Sequence, residues 1–410
     1  MEKERKFILG SNYWPREKAM YWWGEFDLSP ARRDFSLMAE YGLELIRVFL
    51  LWEDFQPEIN RISVRALDDL VRVADLANDR RIKILPTFFC GHMCGVNWLP
   101  PWMLEAGKGE GRVPLFSAGG IRKERARNMY SDREVWKAQK LLIHETANAL
   151  QEHPAVWGWD LGHKSSCLGN PPSRDSARAW LEEMSTELKR WNSSIPLTMG
   201  IGQEDLEEAR IPGPRDLAPY IDFLLIHVDP GKAKWAEGPM DEKAPLFLGF
   251  MAQWLGGKEV LVGDLGVPTE PLLPSLTPSD RHRLGGTRLV QESQAEAFYQ
   301  QSLDLLKRYG IRGALGRSVG DYDSSLWDKP PFDHQVAERF CGLFRKDGSA
   351  KPAALLFREY SRERTPGEIS WDWVDIRPEE YYENPRAQLA RLYRRFKDRF
   401  SRIKPPPNPV

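Results

Sequence analysis

The sequence predicts a (β/α)8 barrel followed by a C-terminal helical extension, and three observations carry that expectation. Eight short apolar or β-branched runs recur along the chain. Segments of helical period separate them. The first run leads into Gly10-Ser11-Asn12-Tyr13-Trp14-Pro15, without the Gly-rich phosphate loop that a doubly wound nucleotide-binding sheet carries at that point. A length of 410 residues exceeds the ~250 usual for such a barrel and leaves room for insertions.

In chain order, the strands are expected at residues 7–12, 45–50, 82–89, 155–162, 196–201, 222–227, 259–264 and 311–318. Each is short and nearly continuously apolar, as a strand covered on both faces must be. Amphipathic helices are expected at 30–41, 64–78, 132–151, 173–191 and 289–309, with only a short helical turn at 215–220. Two long segments follow strand ends, where barrels carry their functional loops. Residues 91–130, with Trp98, Trp102 and a Gly/Lys/Arg-rich middle, read as a lid or cleft wall, and the Pro-rich 265–287 is similar in kind. Residues 1–361 are assigned to the barrel. Residues 362–410, with Thr365-Pro366-Gly367, Trp371, Trp373, a helix at 385–397 and a Pro-rich tail, are expected to pack on it as an extension.

Composition narrows the function classes. Lys plus Arg number 58 against 59 Asp plus Glu, so neither a basic nucleic-acid surface nor an acidic tail is expected, and the Arg-rich 391–402 reads as a solvated helix face. No apolar run is long enough for a membrane span or a signal peptide. The 4 Cys are too few for a disulfide framework in a chain this long, which favours a reducing, cytoplasmic setting. The 16 Trp can supply flat amphipathic walls suited to sugar faces.

The strand ends carry more specific information. Arg47-Val48-Phe49-Leu50-Leu51-Trp52-Glu53-Asp54-Phe55 closes strand 2, Gly91-His92-Met93 and Gly95-Val96-Asn97-Trp98 follow strand 3, and Asp321-Tyr322 with Leu326-Trp327-Asp328-Lys329-Pro330-Pro331-Phe332-Asp333-His334 follow strand 8. Together with the residues after strand 1, these resemble the clan A glycoside hydrolases, in particular family 5-like bacterial endo-β-mannanases and cellulases, over nearly the whole chain. The resemblance implies two catalytic carboxyls, a general acid/base at the end of strand 4 and a nucleophile at the end of strand 7. Here Trp159-Asp160-Leu161-Gly162 runs into His163-Lys164, and strand 7 ends Asp264-Leu265-Gly266. Lys164 and Asp264 therefore stand at the acid/base and nucleophile positions, where neither is expected to be active. The resemblance further implies that Trp14, His92, Trp98, His163, His227 and Trp327 line the cleft, and that Arg47 is a cation beneath the strand 7 carboxylate. Asp229 stands where a Tyr is usual, and Arg317 where a Trp floor is usual.

Two cations and two carboxylates at these positions suggest ion pairs, Lys164 with Asp264 and Arg317 with Asp229. A protonated Lys164 is a poor proton donor to a glycosidic oxygen and is inert as a Schiff-base amine. The function expected is a non-hydrolysing homologue that binds a carbohydrate, with no cofactor, and with Lys164 and Arg317 favouring an anionic sugar. One alternative is an active β-glycosidase that uses Asp264 with a different acid, such as Glu53, Glu204 or Glu237. Another is a metal-binding barrel using Cys90, Cys94, His163 and Cys167, with His92 nearby, since Cys and His are the ligands zinc prefers.

Overall fold

The computed structural model describes residues 6–105, 113–271, 278–284, 287–363 and 370–401. Eight parallel strands close into a barrel in sequential order: β1 (Ile8–Tyr13), β2 (Leu45–Leu51), β3 (Lys83–Cys90), β4 (Trp159–His163), β5 (Leu197–Gly202), β6 (Leu224–His227), β7 (Val260–Leu265) and β8 (Gly313–Gly316). β1 closes the circle by pairing with both β2 and β8. Every expected strand is present. β4 begins later than the apolar run suggests, because the chain at 153–156 is still turning, held by Val156 N donating to His153 O.

Helices cover the outside: α1 (Leu28–Glu40), α2 (Val64–Asp79), α3 (Arg133–Ala149), α4 (Arg174–Trp191), α5 (Pro214–Leu217), α6 (Ala244–Gly256), α7 (Glu292–Arg308) and α8 (Pro352–Glu359). The first four start at side-chain caps, where Asp27, Ser63, Asp132 and Ser173 accept hydrogen bonds from backbone N–H groups of the first turn. α5 is a single turn, as expected. None of the described helices is long and apolar enough to cross a membrane.

Inside the barrel a small apolar layer of Leu45, Leu85, Phe223, Leu225, Leu261 and Leu315 fills the core. The larger core lies between strands and helices. Above the inner layer the filling becomes polar, and the backbone makes room for it. A Cβ at Gly200 would lie 2.5 Å from Arg47 Nη2, and one at Gly263 would lie 2.8 Å from His227 Nδ1.

The segment after β3 folds into a small sheet of His92–Met93, Val96–Trp98, Leu115–Ser117 and Gly120–Arg122. Its Gly/Lys/Arg-rich middle at 106–112 lies outside the described residues, as do 272–277 and 285–286 of the second insertion, Thr365-Pro366-Gly367 and the Pro-rich tail.

α6 carries no amphipathic pattern, and the reason is what covers it. Residues 244–252 are all buried, from Ala244 to Ala252. The extension, with α9 (Pro378–Glu383) and α10 (Pro385–Ser401), lays Trp373 and Phe396 against Phe247, with ring centroids 5.7 and 5.4 Å away. A helix enclosed on both sides has no polar face to reveal its period. Polar ties complete the seam, with Tyr381 Oη donating to Leu206 O at 2.8 Å and Tyr393 Oη to Asp241 at 2.5 Å.

Truncating this anchor tests the docking. Phe396→Ala removes a fully buried ring and is expected to lower the unfolding free energy in a urea titration by about 3–5 kcal/mol. A loss below about 1 kcal/mol would mean the extension contributes little to the barrel.

Candidate functional site

The site is built upward from one buried ion pair. Arg47 on β2 and Asp160 on β4 are both fully buried, and Arg47 Nε donates to Asp160 Oδ2 at 2.7 Å while Nη2 bonds the same oxygen. Thr87 Oγ1 donates to that oxygen at 2.8 Å, and the backbone N–H groups of Gly162 and Gly200 donate to the other, so the carboxylate is fully satisfied. The sequence placed Arg47 under the strand 7 carboxylate. The structure places it with Asp160, because the side chain leaves β2 toward β4.

Arg47 then sets the state of two imidazoles. Its Nη1 lies 2.9 Å from His163 Nδ1 and 2.9 Å from His227 Nε2. A guanidinium only donates, so both ring nitrogens accept and both rings are neutral. Burial, the facing imidazole and Arg47 hold the His163 pKa well below its ordinary value, and burial lowers that of His227. With Nε2 occupied, the proton of His227 is on Nδ1, which faces Asp264 Oδ1 at 3.3 Å, within reach but poorly aligned for a hydrogen bond.

Lys164 and Asp264 sit where their strands break regularity. The β4–β5 register shifts between Asp160 and His163, and the β7–β8 register between Val262 and Leu265. Both residues adopt left-handed backbone, φ 48° and 56°, at a cost of about 1 kcal/mol each. Such irregularities re-aim side chains next to functional sites. Here they bring Lys164 Nζ to 3.4 Å from Asp264 Oδ2, which is the ion pair expected from the sequence. Asn12 Nδ2 on β1 donates to Asp264 Oδ1 at 2.5 Å. Burial opposes ionisation of Asp264, but the Nδ1–H of neutral His227 and the charge of Lys164 outweigh it and hold its pKa well below the usual range. Burial likewise opposes the Lys164 charge, and Asp264 with Glu204 overcomes it, so the ammonium is held more firmly than usual.

These groups floor a cavity of about 240 Å³, whose walls include Trp14, Phe49, His92, Glu204, Arg317 and Tyr322. Trp14 stacks on Phe49 with centroids 5.6 Å apart. His92 bonds Asn97 at 2.8 Å, and burial pushes its pKa down to about 4. Arg317 beyond β8 bonds Asp229 Oδ2 at 3.1 Å, as expected, and also clasps Glu338 with two nitrogens at 3.2 and 2.5 Å. Burial opposes the charge on Asp229, but Arg317 and Lys232 outweigh it and bring its pKa to about 2. Held by two carboxylates, Arg317 is not available to favour an anionic sugar here.

Several sequence-level expectations are corrected by this placement. Trp98 is buried away from the cavity against Phe116, with centroids 4.2 Å apart. Trp327 packs on Phe340 and under the Arg339 guanidinium, its Nε1 donating to Tyr322 O. Asp229 faces a neighbouring cavity rather than this one. Glu53 accepts from Ala118 N and Glu237 pairs with Lys397, so of the alternative acids only Glu204 reaches the cavity. Among the described residues no group of Cys, His, Asp and Glu is arranged to hold a metal: Cys90 is fully buried and does not line the cavity, and His163 is turned to Arg47. Sequence reasoning missed Glu338, which lies in a short 3-10 helix, Val336–Phe340, with no motif, and the role of Asn12, visible only as part of a strand-end string.

No family model matches the sequence, and no curated protein matches it. Solved structures do share its fold. A variant of the GH5_18 protein of Streptomyces cattleya, in complex with Manβ1-4GlcNAc, is 21% identical with a TM-score of 0.70 over 88% of this chain and 83% of its own. The GH5_18 protein of Bifidobacterium longum subsp. infantis gives 21% and 0.70 over 88% and 81%. The exo-β-1,4-mannosidase of Opitutaceae bacterium strain TAV5 gives 20% and 0.67, with 88% of this chain covering 60% of that one. At these identities the likeness establishes the barrel architecture.

The Lys164–Asp264 pair has a defined pH signature. Asp264 has a depressed folded pKa, so its contribution is present above the unfolded value near ~3.9 and is lost as pH falls through the folded one. Lys164 has a raised pKa, so its contribution is present below ~10.4 and is lost only as pH rises through the folded value. Stability from this pair is therefore expected to be flat from about pH 5 to 9. Lys164→Ala should cost about 1–3 kcal/mol at pH 7, below the range for a fully buried pair, because the two side chains keep 19% and 14% exposure and Asn12 still bonds Asp264. Chemical denaturation of both proteins at pH 3, 5, 7 and 9 measures this. A neutral substitution at pH 7 would overturn the assignment of a stabilising ion pair.

Proposed function

We propose that this chain binds a neutral carbohydrate in the cavity above Lys164 and Asp264 and does not hydrolyse it. The observation that carries the proposal is the ammonium of Lys164 paired with Asp264 on the cavity floor. Retaining glycosidases act with two carboxyl groups ~5–5.5 Å apart, one of which must deliver a proton near neutral pH. Around this cavity no group is poised to do so. Asp264, Glu204 and Glu338 are all held below their ordinary pKa values, and His92 and His163 likewise. Lys164, Cys94, Cys167 and Tyr322 are all held above theirs. The ionised groups face one another, with Lys164, Lys232 and Arg317 matching Glu204, Asp264 and Glu338 on the walls. A charge-balanced pocket with a stacked Trp14 suits an uncharged polyol that has one apolar ring face. The volume is below the ~300 Å³ at which pockets for larger ligands begin, which fits a single ring. Structures of like fold include one that holds Manβ1-4GlcNAc, so β-linked mannosides are the first ligands to test.

Glu204 supports a second reading, since of Glu53, Glu204 and Glu237 it alone lines the cavity. Burial raises its pKa, but Lys164 lowers it further, so the carboxyl is ionised and cannot protonate a leaving oxygen. In this reading Asp264 acts as nucleophile one methylene short of the usual reach, and such a misplacement can cost ~100-fold.

The experiment combines binding and turnover. Calorimetry is expected to show binding of β-1,4-linked manno-oligosaccharides, with no release of aryl alcohol from aryl β-mannosides or β-glucosides. Turnover that disappears in Asp264→Ala would overturn the non-hydrolysing assignment in favour of the second reading. The triple variant His163→Asn, Lys164→Glu, Asp264→Glu is expected to gain weak aryl-glycoside cleavage, limited by Arg317, which would lower the pKa of either new carboxyl.

A further inference from the structure

Beyond the Arg317 clasp lies a second cavity of about 200 Å³. It shares Lys232, Arg317, Gln335 and Glu338 with the first, so the two are adjoining chambers that meet at the Arg317–Glu338 contact. Pro239, Val267 and Pro268 give it an apolar side.

The chambers differ in charge. The first balances its cations and carboxylates. The second sets Lys232, Arg288 and Arg317 against Asp229 and Glu338, and so carries one cation in excess. Arg317 is held by both carboxylates, and Lys232 lies 3.3 Å from Asp229. Arg288 is exposed at the rim, and no hydrogen bond or ion pair engages it among the described residues. Its backbone is nevertheless well anchored. Thr287 N donates to Leu284 O at 2.8 Å, Val290 N donates to Pro268 O at 3.0 Å, and Leu289 and Val290 are buried beside it. A lone guanidinium on a held backbone at the mouth of a polar cavity matches a carboxylate, which it can bond through two parallel N–H groups.

We infer that the second chamber is a subsite for an acidic sugar unit, a uronic acid linked to the neutral ring in the first chamber, with Arg288 reading its carboxylate. This rests on the sugar-binding function proposed above. It also moves the preference for an anion from Lys164 and Arg317, which are both ion-paired, to the next sugar along. A phosphate dianion fits less well, since Asp229 and Glu338 share the chamber and would repel the second charge.

Calorimetry with three probes tests this: mannobiose, a disaccharide of glucuronic acid linked to mannose, and mannobiose carrying a 6-phosphate on its second ring. The wild-type protein is expected to bind the uronate about tenfold more tightly than mannobiose at low salt, as one charge-assisted bidentate contact provides, with the phosphate no better than the uronate. Arg288→Gln is expected to abolish that preference while leaving mannobiose affinity and the melting temperature unchanged. Added salt should narrow the preference in the wild type. Mannobiose binding without a uronate preference, or a preference that survives Arg288→Gln, would overturn the subsite while leaving the proposed function standing. Tighter binding of the phosphate would overturn the assignment to a carboxylate. Binding of none of the probes would overturn both readings together.

Discussion

The arrangement at the barrel mouth depends on the pairing of Arg47 with Asp160. Two opposite charges with no exposure to water are tolerable only if every remaining donor and acceptor is met, and here they are. Asp160 takes bonds from β2, β3 and β5 and from its own strand. Arg47 gives its remaining N–H groups to Gly162 O, His163 and His227. One side-chain pair thus ties together strands β2 to β6. It also fixes the tautomers of two imidazoles, and the Nδ1 proton of His227 contributes to the field that keeps Asp264 charged. The glycines at 200 and 263 are needed for the same reason, since side chains there would collide with the guanidinium or the ring.

On that foundation the site carries a pair of opposite charges, and not two like groups. A hydrolytic pair works because two like groups raise one another's proton affinity at different stages of a reaction. A lysine beside an aspartate does the reverse, with each partner deepening the other's charged state. Such a pair is stable over a wide pH range and has no proton to exchange within it. The strained backbone at both residues is consistent with a local geometry kept by the surrounding strands rather than preferred by either residue.

Much of this was legible in the sequence, and what was not has physical causes. The strands declare themselves because burial on both faces demands continuous apolar runs, and the ends of β4 and β7 are legible because a cation, Lys164, and a carboxylate, Asp264, stand on strand ends that share one barrel mouth. The Lys164–Asp264 and Arg317–Asp229 pairs followed from charge complementarity between neighbouring strand ends. Direction was harder to read. A buried arginine must meet a carboxylate, but the string of letters does not say which one, so Arg47 was assigned to strand 7 when it belongs with Asp160. An aromatic beside a strand end can face the mouth or the core, and Trp14 does the first while Trp98 does the second. Glu338 reaches Arg317 from a short 3-10 helix 21 residues later, a distance over which pattern carries no information. α6 was hidden because its environment is apolar on every side.

That last feature bears on how the protein is made. α6 is complete at residue 256, whereas Trp373 and Phe396, which cover its outer face, come more than a hundred residues later. At ribosomal rates of ~5–20 residues per second, the helix waits roughly ten seconds before its cover exists. During that interval the nascent chain presents an apolar surface that has no partner on the ribosome. The extension is therefore a late-arriving closure, and between the emergence of α6 and that of α10 the chain carries apolar surface of the kind chaperones shield.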